Sequence, residues 1–313
     1  MSEAIEHAAG GPEAIPDSQV TETVKEPAGP GFIDGLMKQL QRREVQFGLL
    51  LAAILVATFW TGFVRWVDAW FMPDSYYQHG PLIFPAAGYI AYLFYERFKD
   101  RLAIKPTYIP LALLVPVLYL NIAAARSEMA TLSGILLMMS LFIVAWTLAG
   151  FKWAVVYTPA ILFTAFGMSA WNAAIDQGTL PLQIYSTDGA FILLEGFGFR
   201  PFRETPTLIN LSHFPLNIEA ACSGMKLTLA MIATIVFMVL TGRMKWWANL
   251  VLVALALPLS IAINALRIAL IGVFGNEMGH DAGMWMHDYG SYGTLALSFY
   301  VTYKIAVALG WKI

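Results

Sequence analysis

Three residues of the types that thiol chemistry requires lie close to one predicted face of a membrane. Cys222, Arg267 and His287 belong to three different segments of the chain, each next to a long apolar run. A thiol peptidase or transpeptidase uses such groups as nucleophile, anion stabiliser and base. The structural alternative for Cys222, the single cysteine, is a buried small hydrophobic residue. Because three suitable groups converge on one interface, the pattern favours chemistry over packing.

The segment around Cys222 is predicted to be the outer start of a membrane helix. Residues 219–226 read Glu-Ala-Ala-Cys-Ser-Gly-Met-Lys and lead into an apolar run. A thiolate near a helix N-terminus is stabilised by the helix dipole and by free backbone N–H groups. Lys226, one turn further on, either adds positive potential to the thiol or extends its charged end to the membrane surface.

A second motif, Asn264-Ala-Leu-Arg267, lies near the end of the next apolar segment. That segment begins near Trp246, and a rise of about 1.5 Å per residue places Arg267 about 30 Å away, at the outer boundary. An arginine inside a span is costly and indicates function, whereas at the boundary its side chain can also reach water. Asn264 shares a helix face with Arg267, which favours a hydrogen-bonding face directed into the bundle.

Histidines supply the candidate bases. His287 is predicted to lie in an outer loop just before the last apolar segment, and His280 in the same loop is its rival. Asp288 directly follows His287 and could orient an imidazole, although neighbours in sequence often point in different directions. His79, at the outer start of the second span, would complete a three-histidine zinc site. The spacing does not support such a site, so neither a metal nor another cofactor is expected.

The composition indicates an integral membrane protein. Hydrophobic residues make up 58% of the 313 residues and charged residues 13%, against about 25% charged in soluble domains. The net charge of −2 gives no reason to expect a nucleic-acid partner, and one cysteine excludes an intrachain disulfide.

Apolar runs of about 20 residues predict about eight spans. They cover residues 46–66, 79–96, 108–124, 129–149, 152–170, 222–241, 246–272 and 290–310.

The charges on the connections predict the orientation. With eight spans, the lysines and arginines near residues 38–43, 97–105 and 243–245 fall on one side, which the positive-inside rule assigns to the cytoplasm. Residues 1–44 then form a cytoplasmic tail, which is predicted to be disordered because it has few bulky apolar residues. Residues 45–313 form the membrane domain.

The longest connection, about 171–221, lies outside in this orientation and is predicted to be a small extracytoplasmic cap between spans five and six. Residues 182–197 carry an apolar side suited to an interfacial helix. Residues 208–218 combine apolar residues with Pro215 and favour extended chain or short strands. The sequence thus predicts an all-α polytopic membrane protein with about eight transmembrane helices and this cap.

In its motifs the chain resembles the exosortase/archaeosortase family of polytopic membrane cysteine transpeptidases. The resemblance covers about residues 60–310 and is strongest at Ala221–Gly224, followed by Asn264–Ile268 and then by His287. The segment Tyr77–Pro81, Tyr-Gln-His-Gly-Pro, also looks like a family motif. Each motif is short, and the order and spacing of the motifs together make the resemblance specific.

The resemblance implies roles for particular residues. Cys222, Arg267 and His287 would be catalytic, and His287 rather than His280 fits the family position. Supporting or substrate-binding roles would fall to Asn264, His79, Tyr77 and Lys226. Two departures from the family are Lys226, where arginine is frequent, and the early glycine at position 290.

The resemblance also implies substrates and a location. Such enzymes cleave secreted proteins at a C-terminal sorting signal, made of a short Pro-Glu-Pro-like motif, a membrane helix and a basic cluster. The expected location is the bacterial inner membrane, in contact with lipid, with the active site facing the periplasm. Two alternatives are a non-enzymatic polysaccharide-export component with an inert Cys222 and a membrane acyltransferase. Transport would favour polar residues at mid-membrane, whereas the candidate residues cluster at one boundary.

Overall fold

The computed structural model describes residues 42–72 and 75–312. The chain divides into two units, residues 1–46 and 47–313, and of the first unit only residues 42–46 are described. The predicted disordered tail therefore lies almost wholly outside the described residues. The fold and the site below belong to the second unit.

Ten α-helices account for most of the described chain. They are α1 (Arg43–Thr58), α2 (Trp60–Phe71), α3 (Gly80–Phe98), α4 (Leu111–Arg126), α5 (Ala130–Ala149), α6 (Phe151–Phe163), α7 (Asn172–Gly196), α8 (Met225–Thr241), α9 (Trp246–Met278) and α10 (His280–Ala308). A 3₁₀ turn, Thr164–Gly167, follows α6, and another, Ala220–Cys222, precedes α8. Helices prevail because a backbone in lipid must satisfy its N–H and C=O groups within its own segment.

The helices are those of a multi-pass membrane protein. Among the described residues, α5 and α9 are long and apolar enough to cross a membrane alone, and two bent helix pairs raise this number to four if each pair is one span. α4 and α8 are apolar but shorter. Large apolar side chains such as Leu82, Val115 and Ile192 lie exposed on the surface, as helices that face lipid require. The number of eight spans stays a prediction.

The first predicted span, 46–66, is not one straight helix. α1 and α2 meet at Phe59 with a bend of 68°. Asn121 of α4 is fully buried, and its Nδ2 donates to the Thr58 carbonyl at 2.9 Å while its Oδ1 accepts from Ser133 Oγ at 2.6 Å. A buried carbonyl at a helix break is costly unless it is hydrogen-bonded. The amide of Asn121 therefore stabilises the bend.

The prediction of an outer loop before the last span is wrong. α10 begins at His280 rather than near residue 290, so that His287 is a helical residue. The first turns of this helix carry His280, Asp281 and other polar side chains, which is why an apolar-run criterion misses them. Gly279, with φ of +92°, separates α9 from α10, and the two helices pack against each other.

Residues 171–221 contain one helix and a small antiparallel sheet. The predicted interfacial helix at 182–197 is the second part of the longer α7. The predicted short strands at 208–218 are confirmed as β2 (Leu208–Asn210) and β3 (Pro215–Asn217), and β1 (Phe202–Thr205) completes the sheet in the order β1-β2-β3.

The sheet packs against α7 and α9, two of the helices that position the site. Ile209 pairs with Leu216 across β2 and β3. Both side chains are buried in one cluster with Leu194 of α7, Ile268 of α9 and Cys222. The sheet thus forms part of the apolar wall on which the cysteine rests. Its position outside the membrane stays a prediction.

Candidate active site

Cys222 lies just before a helix rather than within it. It is the last residue of the 3₁₀ turn, and its N–H donates to the Glu219 carbonyl at 2.9 Å. Gly224 follows with φ of +87° and is the N-cap residue of α8. This left-handed residue redirects the chain, so that the thiol is beside the helix start and close to its dipole. The predicted position of Cys222 at the start of a helix differs from the observed one by these few residues.

Three polar side chains from other helices hold the segment that carries Cys222. Asn264 of α9 donates its Nδ2 to the Cys222 carbonyl at 3.0 Å. From α7, Ser186 Oγ donates to the Ser223 carbonyl at 3.4 Å, and Gln183 Nε2 donates to the Ile218 carbonyl. Gln183 and Ser186 were not predicted from the sequence. The sequence feature that could have indicated them is their i, i+3 spacing, which places both polar side chains on one face of α7.

Replacing Gly224 with Ala is expected to destabilise the protein and to displace Cys222. A left-handed conformation costs a non-glycine residue about 1–2 kcal/mol. An added Cβ would also lie 2.8 Å from Asn264 Cγ, the side chain that holds the Cys222 carbonyl. We expect a lower thermal midpoint of the purified protein and slower alkylation of Cys222.

The matched control for this substitution is Gly293→Ala, at a helical position of α10 where an added Cβ meets nothing within 4 Å. Alanine there removes backbone freedom from the unfolded chain and should leave the midpoint unchanged or higher. Equal midpoints for the two variants would contradict the role assigned to Gly224.

The structure brings the predicted thiol and base into contact. Cys222 Sγ lies 2.9 Å from His287 Nε2, although the two residues are 65 positions apart in the sequence. Cys222 is 7% exposed, so its sulfur is shielded from bulk water. On the other side of the ring, His287 Nδ1 lies 3.0 Å from Asp288 Oδ1. Of the two orientations left open for Asp288, the structure therefore has the one in which its carboxylate contacts the imidazole.

Arg267 joins the same site from α9. Its Nη2 donates to the His287 carbonyl at 3.2 Å, and Ser291 Oγ donates to the same oxygen at 3.0 Å. Its Nε is buried and has no hydrogen-bond partner among the described residues. A buried donor without an acceptor costs about 1–3 kcal/mol. This N–H is therefore an unused donor on the side chain that bonds to the His287 carbonyl.

The arrangement can transfer a proton between sulfur and nitrogen. An imidazole nitrogen in contact with a thiol is within reach of the proton it must accept, and histidine titrates near neutral pH. The segment before α8 supplies Cys222, α9 supplies Arg267 and Asn264, and α10 supplies His287. The site is therefore assembled only when these three parts of the chain pack together.

The other candidate residues of the sequence lie elsewhere or have a different setting. Tyr77 and His79 lie in the turn before α3, outside the helices. Tyr77 Oη donates to Asn172 Oδ1 at 2.8 Å and accepts from the Trp171 N–H at 3.3 Å. Tyr77 also packs in one apolar cluster with Met225, in the first turn of α8. Burial raises its pKa to about 12, so it stays a protonated donor that joins the turn to the start of α7.

His79, His280 and Lys226 differ from His287 in their surroundings. Burial lowers the pKa of His79 to about 4, so this imidazole is neutral at cellular pH. His280 is the first residue of α10, and its ring centroid lies 5.8 Å from that of Phe214. Lys226 is half-buried in the first turn of α8. Within the described ranges, no group of three His, Cys, Asp or Glu side chains is placed to hold a metal ion.

Comparison with known proteins identifies the family. A family model described as transmembrane exosortase matches residues 66–303. Because the match covers well over half of the chain and includes every candidate site residue, the chain belongs to the transmembrane exosortase family. No curated protein and no solved structure matches the chain. Family membership suggests a multi-pass membrane transpeptidase that acts on proteins with sorting signals.

Proposed function

We propose that this protein is a membrane cysteine transpeptidase that cleaves C-terminal, Pro-Glu-Pro-like sorting signals of secreted proteins through a thioester. The observation that carries the proposal is the 2.9 Å contact between Cys222 Sγ and His287 Nε2. A lone buried cysteine is usually inert, whereas a thiol paired with an imidazole is an activated nucleophile. The family match supports the same reaction class.

His287 acts as the base and then as the acid. Its Nε2 takes the thiol proton, and the thiolate attacks the carbonyl carbon of the scissile peptide bond. The tetrahedral intermediate collapses with loss of the amine, which receives the proton from the imidazolium. The products are a thioester on Cys222 and a released C-terminal fragment. Attack by an acceptor nucleophile on the thioester then transfers the new C-terminus and regenerates the thiol.

Arg267 and Asn264 support this chemistry in different ways. The buried Arg267 Nε is an unused donor, and an oxyanion beside the thiol would give it an acceptor. The Arg267 Nη2 bond to the His287 carbonyl also holds the base in place. Asn264 holds the Cys222 carbonyl and so restricts the position of the nucleophile. We assign Arg267 to oxyanion stabilisation and Asn264 to positioning.

The location follows from the proposed orientation. The cytoplasmic side would carry the basic connections, as the positive-inside rule requires. The site would then face the periplasm, where a secreted substrate arrives with its signal helix still in the bilayer. Lipid would surround the helices, whose exposed apolar side chains suit such a neighbour.

The test is co-expression of the protein with a secreted reporter that bears a tripartite C-terminal signal. We expect the wild-type protein to shorten the reporter, and mass spectrometry of the reporter should locate the cleavage within the signal. The matched control is a reporter with the short motif scrambled but with the same helix and basic cluster. Added hydroxylamine should appear as a hydroxamate at the new C-terminus, because it intercepts a thioester.

The alternatives predict different results. A lipid acyltransferase would carry a labelled acyl chain on Cys222 and would leave the reporter uncut. A non-enzymatic export component would do neither. Equal cleavage of the scrambled reporter would overturn the proposed recognition of the motif while retaining a peptidase.

A further inference from the structure

We propose that Asp288 is a positioning residue that holds the imidazole of His287 in the tautomer and orientation needed to activate Cys222. This inference rests on the proposed function, because it assigns a third member to the Cys222–His287 pair. It goes beyond that function in assigning a role to the carboxylate of Asp288.

The contacts define the geometry. His287 Nε2 lies 2.9 Å from Cys222 Sγ, and His287 Nδ1 lies 3.0 Å from Asp288 Oδ1. The two ring nitrogens thus have two different partners on opposite sides of the ring. A carboxylate accepts hydrogen bonds but does not donate them when ionised, so Nδ1 must carry the proton of the neutral ring. The lone pair of Nε2 then faces the thiol.

The carboxylate also favours the state that follows proton transfer. When Nε2 takes the thiol proton, the ring becomes an imidazolium with N–H groups at both positions. Asp288 then faces a cation instead of a neutral donor, and such charge-assisted hydrogen bonds are stronger than neutral ones. The side chain of Asp288 is 62% exposed and that of His287 is 35% exposed. Water therefore screens the charge, and we expect an effect of modest size.

The elements that meet at this ring carry several titratable or charged side chains. Cys222 faces it from the segment before α8, and Arg267 of α9 bonds to the His287 carbonyl. The elements packed here also carry Glu219 and Lys226, which flank Cys222 in the sequence. All of these groups are the same in the variants compared below. A difference between variants therefore reports the residue at position 288.

The test uses the fact that Cys222 is the single cysteine of the chain. Alkylation of the purified full-length protein by iodoacetamide then reports one thiol, and its rate follows the thiolate fraction. The rate is measured from about pH 5.5 to pH 10 for the wild type and for Asp288→Ala. We expect Asp288→Ala to react about two- to fivefold more slowly at pH 6.5. Above about pH 9.5 a thiol ionises without assistance, so the two rates should meet.

Two controls complete the experiment. Asp281→Ala removes an exposed carboxylate from the first turn of the same helix and should retain the wild-type profile. Asp288→Glu retains a carboxylate and should recover part of the reactivity at pH 6.5. A general loosening of the fold would change the rate at all pH values, so a change confined to low pH identifies positioning of the imidazole.

The outcomes separate this inference from the function on which it rests. If His287→Gln loses reactivity at pH 6.5 while Asp288→Ala retains the wild-type profile, the role of Asp288 is overturned and the Cys–His pair stands. If His287→Gln also retains the wild-type profile, the pair itself is wrong, and both proposals lose their basis.

Discussion

Replacing Cys222 with Ala is expected to abolish processing of a sorting-signal reporter, with a loss of at least about 10³-fold in rate. No other residue of the chain has a thiol, so no neighbouring thiol can replace the nucleophile. The substitution removes one buried atom and should cost about 1 kcal/mol or less of stability. The measurement is the fraction of reporter processed at equal membrane abundance of the two proteins.

The matched control for the nucleophile is Ser223→Ala, which changes the adjacent buried side chain in the same segment. Ser223 Oγ accepts from the Met225 N–H at 3.3 Å and has a structural role at the start of α8. We expect this variant to retain processing with a small loss of stability. Processing by Cys222→Ala at the wild-type rate would remove the thiol from the chemistry and overturn the thioester mechanism.

His287→Gln is expected to reduce the processing rate by about 10²–10⁴-fold at neutral pH, the usual contribution of a general acid–base. Glutamine has no nitrogen that can take the thiol proton, although it can occupy a similar volume. The rate should recover in part above about pH 8.5, where a thiol ionises without a base. The measurement is reporter processing by the purified proteins as a function of pH.

His280→Gln is the control for the base, because the two histidines are on the same helix and were rivals by sequence. His280 is exposed and lies beside Phe214 at the first residue of α10. Its substitution should leave the pH profile unchanged. An inactive His280→Gln together with an active His287→Gln would reverse the assignment of the base.

The match to the family and the geometry of the site carry different parts of the conclusion. The family match over residues 66–303 places the chain among transmembrane exosortases. It does not say which side chain acts in which step of the proposed reaction. The contacts of Cys222, His287 and Arg267 suggest the steps, and they come from parts of the chain that are far apart in sequence. The four substitutions above test the site without assuming a particular acceptor.

Several features of the fold could be predicted from the sequence because their cause is local. Apolar runs predict helices wherever lipid leaves the backbone no other partner, and α5 and α9 follow these runs closely. Pro215 and the apolar residues near it predict short strands, which are present as β2 and β3. Residue type and position also select Cys222 and Arg267, whereas the family resemblance selects His287 over His280.

Features that depend on distant residues were decided by the tertiary structure. At the bend near Phe59, the Thr58 carbonyl accepts a hydrogen bond from Asn121, which lies on another helix. The start of α10 at His280 has few apolar residues and is helical where it packs on α9. Sequence patterns carry little information about either, because burial and hydrogen-bond partners arise only when the helices pack.

For the candidate active site, too, some features follow from the sequence and others only from the tertiary structure. The sequence by itself determined which residue types are available for the chemistry, since the thiol of Cys222, the guanidinium of Arg267 and the rival imidazoles of His280 and His287 all precede or occupy the last helices. Only the tertiary structure decided that Cys222 meets His287 rather than His280, that Asp288 contacts the far nitrogen of the ring, and that Arg267 bonds to the His287 backbone. The physical reason is that a hydrogen bond requires atoms about 3 Å apart, and such a separation depends on how α8, α9 and α10 pack.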